Sequence, residues 1–143
     1  MAAHPRDASA GYDPLQAVGK RLGTPIGREF FDRHVDILTK AFGRDLVADI
    51  EAVSAHQDES AAERLCSRLC PGTTFTVTEG EHSIAIKHDS GFSSGVHVVD
   101  SDPFFSMSRA VALASASMQL NGDIRSGKVL PAFAAPDQLR LAA

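Results

Sequence analysis

A nucleophilic serine is the first chemistry that the sequence suggests. Residues 91–95 read G-F-S-S-G, which matches the G-x-S-x-G pattern of a nucleophile elbow. That chemistry requires the serine on a sharp turn from a strand into a helix, with an acid and a histidine as partners. Here residues 96–99 read as strand, and no histidine follows His97. The pattern therefore predicts a serine-rich hairpin and no catalytic residue.

The six histidines raise the question of a metal site. Zinc requires three or four ligands that converge at about 2 Å. His82 and His88 share one face of a predicted strand, but at ~3.3 Å per residue they stand about 20 Å apart. The third histidine of the sheet region, His97, is predicted on the opposite face. We therefore predict no metal site and no bound cofactor.

The two cysteines, Cys66 and Cys70, are four residues apart and so share one face of a predicted helix. This spacing differs from the redox-active C-x-x-C pair, and two thiols alone do not hold a structural zinc. Both lie near the C-terminal end of the helix, whose negative end disfavours a thiolate. Buried, unreactive thiols are expected.

Charge is distributed unevenly along the chain, whose formal net charge is −4. Residues 71–103 carry five carboxylates and a single lysine, Lys87. Because nucleic-acid affinity depends on clustered Lys and Arg, this region is not expected to bind nucleic acid. A weaker hypothesis gives that role to the basic segment 19–23 together with Arg28. No acid–base pair is evident, so we lean against an enzyme.

The length of 143 residues predicts one domain, at 14–122. Residues 1–13 are expected to be disordered, and 123–143 to form a partly docked tail, with an edge strand near 128–130. No apolar run approaches the ~18 residues of a membrane span, and the N-terminus does not resemble a secretory signal. We therefore expect a cytoplasmic protein.

Helices are predicted for the first half of the domain. A short one follows Pro14, and a second runs to Phe42, with Thr24 as N-cap and Pro25 at its first position. A third starts near Arg44. The polar stretch 54–60 predicts a break, with one long helix to Leu69 as the alternative; after the break, Ser60 and Glu63 match a capping box. The apolar stripe of the second helix is Phe31, Val35, Leu38 and Phe42, widened by Phe30 and Ile37.

The hydrophobic period then changes to two, which predicts a three-stranded antiparallel meander at 73–79, 82–88 and 92–99. Alternation places one face of this sheet against the core. The core-facing side chains are predicted to be Phe75, Val77, Ile84, Ile86, Phe92, Val96 and Val98.

A final helix at 103–120 is expected to pack on that face and to end at Asn121-Gly122. Its predicted sheet-facing stripe is Phe104, Met107, Val111, Ala114 and Met118. The opposite side is also apolar, and a helix that is apolar on two sides is normally buried on two sides. Its cover is expected to be the N-terminal helices, the tail or another molecule. The candidate interface residues are Phe105, Leu113, Ala116, Leu120, Leu130 and Phe133.

The order helix, three antiparallel strands, helix is similar to that of double-stranded-RNA-binding domains. The resemblance is one of topology. Those domains begin their final helix with lysines that contact phosphates, whereas residues 101–105 here read S-D-P-F-F. The topology also resembles small phage-encoded αβββα proteins and, more loosely, the acidic α/β chaperones of secretion systems.

These observations favour an α+β fold and a small acidic protein that acts by protein–protein contact, as an adaptor, chaperone or inhibitor, and as a homodimer through the final helix. The alternative is a small-ligand-binding or enzymatic domain with a cavity between the sheet and the helices. The lining of that cavity would be Phe75, Ile84, Ile86, Val98, Met107, Val111 and Met118.

Overall fold

A computed structural model describes residues 12–24, 26–100 and 107–130. It confirms the α+β class, with five helices and one antiparallel sheet of order β1-β2-β3 in that part of the chain. None of the described helices is long and apolar enough to cross a membrane. The elements are α1 (Pro14–Arg21), α2 (Gly27–Phe42), α3 (Arg44–His56), α4 (Glu59–Leu69), β1 (Thr74–Glu79), β2 (Ser83–Asp89), β3 (Ser94–Asp100) and α5 (Arg109–Arg125).

The start of α2 differs from the prediction. Helix α2 begins at Gly27. Its N-cap is Ile26, whose side chain makes no capping hydrogen bond. Thr24 does not cap it, because its hydroxyl donates instead to the Arg21 carbonyl at 2.7 Å. Pro25 lies outside the described residues. Of the predicted apolar stripe, Phe31 and Leu38 are fully buried, whereas Ile37 is exposed.

The break between α3 and α4 is confirmed, and it takes only two residues. Gln57 ends α3 in the left-handed conformation, with φ of 52°. Asp58 then caps α4 by accepting from the backbone N–H groups of Ser60 and Ala61. The predicted cap at Ser60 was therefore two residues late, since an aspartate at the break already satisfies these donors.

The three strands lie within two residues of the predicted bounds, but the orientation of β3 was predicted wrongly. Val96 and Val98 are 60% and 54% exposed, and His97 lies on the covered face. The register explains the reversal, because His97 stands opposite Ile86, which is fully buried. Residues directly opposite in a sheet share a face. Alternation from Phe92 predicts both valines in the core, whereas the register set by the 90–93 turn places them outside.

Helix α5 is shifted toward the C-terminus relative to the prediction. It begins at Arg109, with the Ser108 hydroxyl accepting from the Val111 N–H at 3.1 Å, and residues 101–106 lie outside the described chain. It also continues through Asn121 and Gly122 to Arg125. Gly122 does not end the helix. It permits close packing, because a Cβ at this position would meet the Asp13 carboxylate at 2.6 Å.

Helix α5 is the centre of the molecule. Every residue from Ala110 to Met118 is buried. Of the stripe predicted to face the sheet, Met118 packs on α1 and Val111 on the turn after it, since a Cβ on Gly19 would lie 2.9 Å from the Cβ of Met118, and one on Gly23 2.6 Å from the Val111 side chain. Phe104 lies outside the described residues. The helix packs mainly on α1 and α4, and much less on the sheet.

The predicted edge strand near 128–130 is wrong. Lys128 and Val129 both donate their backbone N–H groups to the Asp123 carbonyl, so these residues form a turn that closes α5. Leu130 is exposed, and Phe133 lies outside the described residues.

The close contact between α1 and α5 generates a stability prediction. Replacing Gly19 by Val should lower the free energy of unfolding by about 1–3 kcal/mol, because the added methyl groups overlap the Met118 side chain and the Ser115 carbonyl. Urea unfolding followed by circular dichroism measures this. Lys20→Val, an exposed neighbour in the same helix, is the control; equal losses in the two variants would contradict the packing explanation.

Candidate functional site

The predicted interface on α5 is largely inaccessible. Leu113, Ala116 and Leu120 are only 8%, 3% and 5% exposed. The α4 helix lies against this side, where the Asn121 amide donates to the Leu69 carbonyl at 3.0 Å. The second apolar side of the helix is therefore covered by the chain's own helices, which was one of the three predicted covers. Phe105 lies outside the described residues.

The largest apolar side chains exposed on the sheet are Val96 and Val98, which we call the valine patch. They stand two residues apart on β3, an edge strand of the described sheet. Cross-strand pairing extends the patch, since Val98 lies opposite Ala85 and Ala85 opposite Thr78. Together they form part of the outer face of the sheet, whose members are Thr74, Thr76, Thr78, Ser83, Ala85, Lys87, Asp89, Ser94, Val96, Val98 and Asp100.

Charges border the valine patch at both ends of β3. Asp89 and Ser94 form the pair at one end, and Ser83 and Asp100 the pair at the other. Between them, Lys87 stands beside Val96 as the only cation on the three strands. The outer face thus has an apolar centre on β3 and carboxylates at both ends, so an approaching surface would meet net negative charge there.

The covered face of the sheet carries a polar cluster that sequence reasoning missed. His88 and His97 come from neighbouring strands, and Gln119 and Asp123 come from successive turns of α5. Gln119 joins the layers, since its amide nitrogen lies 3.5 Å from His97 Nε2 and donates to the Ser115 hydroxyl at 3.1 Å. Only the correct orientation of β3 could have shown that the two histidines share a face.

Burial sets the protonation state of both histidines. Desolvation lowers the pKa of His88, an effect that the nearby carboxylates of Asp123 and Asp89 partly offset. Desolvation also lowers the pKa of His97; the His88 imidazole lowers it further, and Asp123 acts in the opposite direction. The neutral imidazoles are therefore favoured in the folded protein.

The geometry of this cluster serves packing. The His88 ring lies over the backbone of Gly95, where a Cβ would meet His88 Nε2 at 2.8 Å, so a larger residue at position 95 would displace the ring. Within the described ranges, no group of three or more His, Cys, Asp or Glu residues is arranged to hold a metal ion.

The serine motif forms the turn between β2 and β3. The Ser90 hydroxyl accepts from the backbone N–H groups of Phe92 and Ser93, and its oxygen lies 3.4 Å from the Ser93 hydroxyl. The motif continues into strand β3 and not into a helix, as predicted. These contacts give the serines a structural role in the hairpin.

The cysteines are buried against α5. Cys66 donates to the Leu113 carbonyl at 3.9 Å, and Cys70 donates to the Ser117 carbonyl at 3.5 Å. Burial raises the pKa of Cys66 to about 11 and that of Cys70 to about 12. Both groups are therefore neutral thiols at physiological pH.

The basic N-terminal segment has its arginines in local contacts. The Arg21 guanidinium lies 5.7 Å from the centre of the Phe30 ring, a cation–π distance. Arg28 pairs with Asp32 at 3.3 Å and lies over the Phe31 ring. Arg21 of α1 and Arg28 of α2 thus both lie against aromatic rings of α2.

The sequence does not predict the buried carboxylate of Asp49. Asp49 on α3 is only 7% exposed, and it accepts two hydrogen bonds from Arg64 of α4, at 3.0 and 3.1 Å. Arg68 approaches its other oxygen at 3.9 Å. The three residues join α3 to α4, and no sequence spacing distinguishes them from solvated charges.

The predicted cavity between the sheet and the helices loses part of its lining, because Val98 faces outward. Three clefts open on the described surface, and none of the three is lined by a strand residue. One follows α4 beside Arg64, one of about 330 Å³ lies between α1 and the end of α5, and one of about 180 Å³ lies beside Gly23.

Comparison with known proteins leaves the site to be interpreted from its geometry. No protein-family model matches the chain, and neither a curated protein nor a solved structure shows significant similarity to it.

The histidine cluster predicts a pH dependence of stability. The ordinary pKa of histidine is 6.5, and both folded-state values lie below it. As the pH falls from about 7.5 through 6.5, the unfolded chain binds protons that the folded chain does not, so the free energy of unfolding should decrease. Urea unfolding at a series of pH values should show a smaller decrease for His97→Gln than for the unmodified protein. His82→Gln, in the exposed turn before β2, is the control, and equal changes of the profile in the two variants would contradict the role of the histidine cluster.

The thiols generate a second prediction. A disulfide reagent such as Ellman's reagent should label Cys66 and Cys70 slowly at pH 8 in the folded protein and rapidly in urea, because the reactive thiolate is scarce and buried. Labelling of the folded protein at the rate of free cysteine would contradict the assigned burial.

Proposed function

We propose that the protein acts by binding another protein through the outer face of its sheet, with the valine patch as the apolar centre of the contact. The observation that carries the proposal is the exposure of Val96 and Val98, at 60% and 54%, side by side on an edge strand. An adaptor, chaperone or inhibitor role would use such a surface without chemistry of its own.

The position of the valines supports this role. Edge strands in monomeric proteins are usually blunted by charges, proline or bulges. Residues 94–99 of β3 contain no Lys, Arg, Asp, Glu or Pro, and the regular pairing with β2 shows no bulge. The opposite edge strand, β1, exposes Thr74, Thr76 and Thr78 on the same face. The two edges therefore differ in polarity, and β3 is the one suited to contact.

The charges around the valine patch indicate the chemistry of the partner. Carboxylates flank β3 at Asp89 and Asp100, and the whole sheet region has one cation. We therefore expect a partner that presents aliphatic or β-branched side chains flanked by lysine or arginine. Complementary charge of this kind increases the rate of association and specifies orientation, whereas the buried apolar centre provides most of the affinity.

A paired set of variants tests the proposal. Val96→Ser together with Val98→Ser removes the apolar centre, and Thr76→Ser together with Thr78→Ser makes matched changes at the opposite edge of the same face. Host proteins retained by immobilised protein would be compared quantitatively across the unmodified chain and both variants, and each difference then measured with purified partner by calorimetry.

The proposal expects at least one partner whose affinity falls by more than about tenfold in the valine variant and by less than about twofold in the threonine variant. Its affinity should also decrease as salt increases, because of the flanking carboxylates. Partners that bind the valine variant and the unmodified protein equally would overturn the assignment of this face.

A further inference from the structure

Within residues 12–24, 26–100 and 107–130, no strand pairs with the outer edge of β3, whose backbone has a regular set of unpaired groups there. The Ser90 N–H donates to the Ser93 carbonyl at 3.0 Å, so these two residues form a hydrogen-bonded pair at the end of the hairpin. Hydrogen-bonded and non-hydrogen-bonded pairs alternate along antiparallel strands. His97 therefore exchanges its backbone bonds with Ile86, whereas Val96 and Val98 direct their N–H and C=O groups away from β2.

The sequence of β3, S-G-V-H-V-V-D, is close to self-complementary when read in the opposite direction. With His97 opposite His97, Val96 stands opposite Val98, Gly95 opposite Val99, and Ser94 opposite Asp100. Each of the seven residues then has a residue of the other strand directly opposite it, and no two like charges stand directly opposite each other. In this register the backbone N–H and C=O groups that point away from β2 face the same groups of the other strand. This allows about eight backbone hydrogen bonds between the two strands.

We propose that β3 pairs with β3 of a second copy of this chain, in an antiparallel two-fold register centred on His97. The sheet then becomes one six-stranded sheet through the dimer. On its outer face the two valine pairs adjoin, since each Val96 lies beside Val98 of the other copy, and cross-strand pairs of β-branched residues stabilise antiparallel pairing.

The β1 edge is a poorer site for such pairing. Arg109 binds Glu79 at the end of β1 at 3.5 Å and Glu59 at the start of α4 at 3.1 Å. These contacts hold the first turns of α4 and α5 beside that end of the strand. No side chain makes an equivalent contact to an acidic residue of β3 in the described chain.

This inference rests on the proposed function for the role of the valine patch, which the dimer would double in width. It is tested with the purified chain alone, so the two can fail separately. Absence of a dimer, with partner binding still sensitive to Val96 and Val98, would overturn the self-pairing only. A dimer in the proposed register, without any valine-sensitive partner, would overturn the proposed function only.

Cysteine cross-linking tests the register. In a non-hydrogen-bonded antiparallel pair, opposite Cα atoms are about 4.5 Å apart, within the range of a disulfide. His97→Cys should therefore form an intermolecular disulfide under mild oxidation. Val99→Cys, on the same face of the same strand, should not, because its symmetry mate is about 13 Å away along the strand. The parent protein controls for the buried Cys66 and Cys70.

Sedimentation velocity tests the interaction without added thiols. Between about 1 and about 200 µM the unmodified protein should shift from monomer to dimer, as expected for a small interface. Val98→Lys should raise the dissociation constant more than about tenfold, and Thr78→Lys, the same change in the same cross-strand row at the β1 edge, by less than about twofold. A monomer at all concentrations, equal effects of the two lysines, or cross-linking at position 99 in place of 97 would each overturn the proposal.

Discussion

The burial of α5 on all sides is the constraint on which the rest of the structure depends. Nine consecutive residues, Ala110–Met118, are removed from solvent. A helix can be enclosed in this way only if its neighbours approach closely, and the small residues of the contact permit this. Alanines alternate along its first half, Gly19 of α1 touches Met118, and Gly122 touches Asp13 and Gln16. The hydroxyls of Ser115 and Ser117 donate to the Gly19 and Ala114 carbonyls, so neither is buried without a partner.

The sheet occupies a subordinate place in this arrangement. It is attached to α5 less extensively than α1 and α4 are. Arg109 fixes one end of β1 to the helical layer through its ion pair with Glu79. On the covered face of the sheet, the Gln119 amide contacts the His97 ring of β3. Because the helices already form a closed core with α5, the described sheet needs only one face for packing. Its outer face and the β3 edge are therefore left for intermolecular contact. That division is why we assign the interface to the sheet and not to the apolar helix.

Local patterns in the sequence predicted the elements well and their packing less well. Alternation located all three strands, and the polar stretch at 54–60 located the break between α3 and α4. The orientation of β3 was not predictable in the same way, because V-H-V-V alternates almost equally well in either direction and the turn at 90–93 decides the register. The same error hid both the valine patch and the histidine pair. The rotation of α5 toward α1 depends on Gly19 and Gly23, whose role as contact surfaces has no local signature.

The sequence separation of the contacts around α5 has a consequence for synthesis of the chain. Ser115 bonds Gly19 across 96 positions, and Gln16 bonds Asp123 across 107. The first helix therefore lacks its principal partner until almost the whole described domain has left the ribosome. Contacts of such long range slow folding, because a large loop must close before they form. During that interval the sheet can be complete while α5 is still absent, so Ile84 and Ile86 remain uncovered on the nascent chain. Until α5 is available, this uncovered apolar surface is open to contact with other chains.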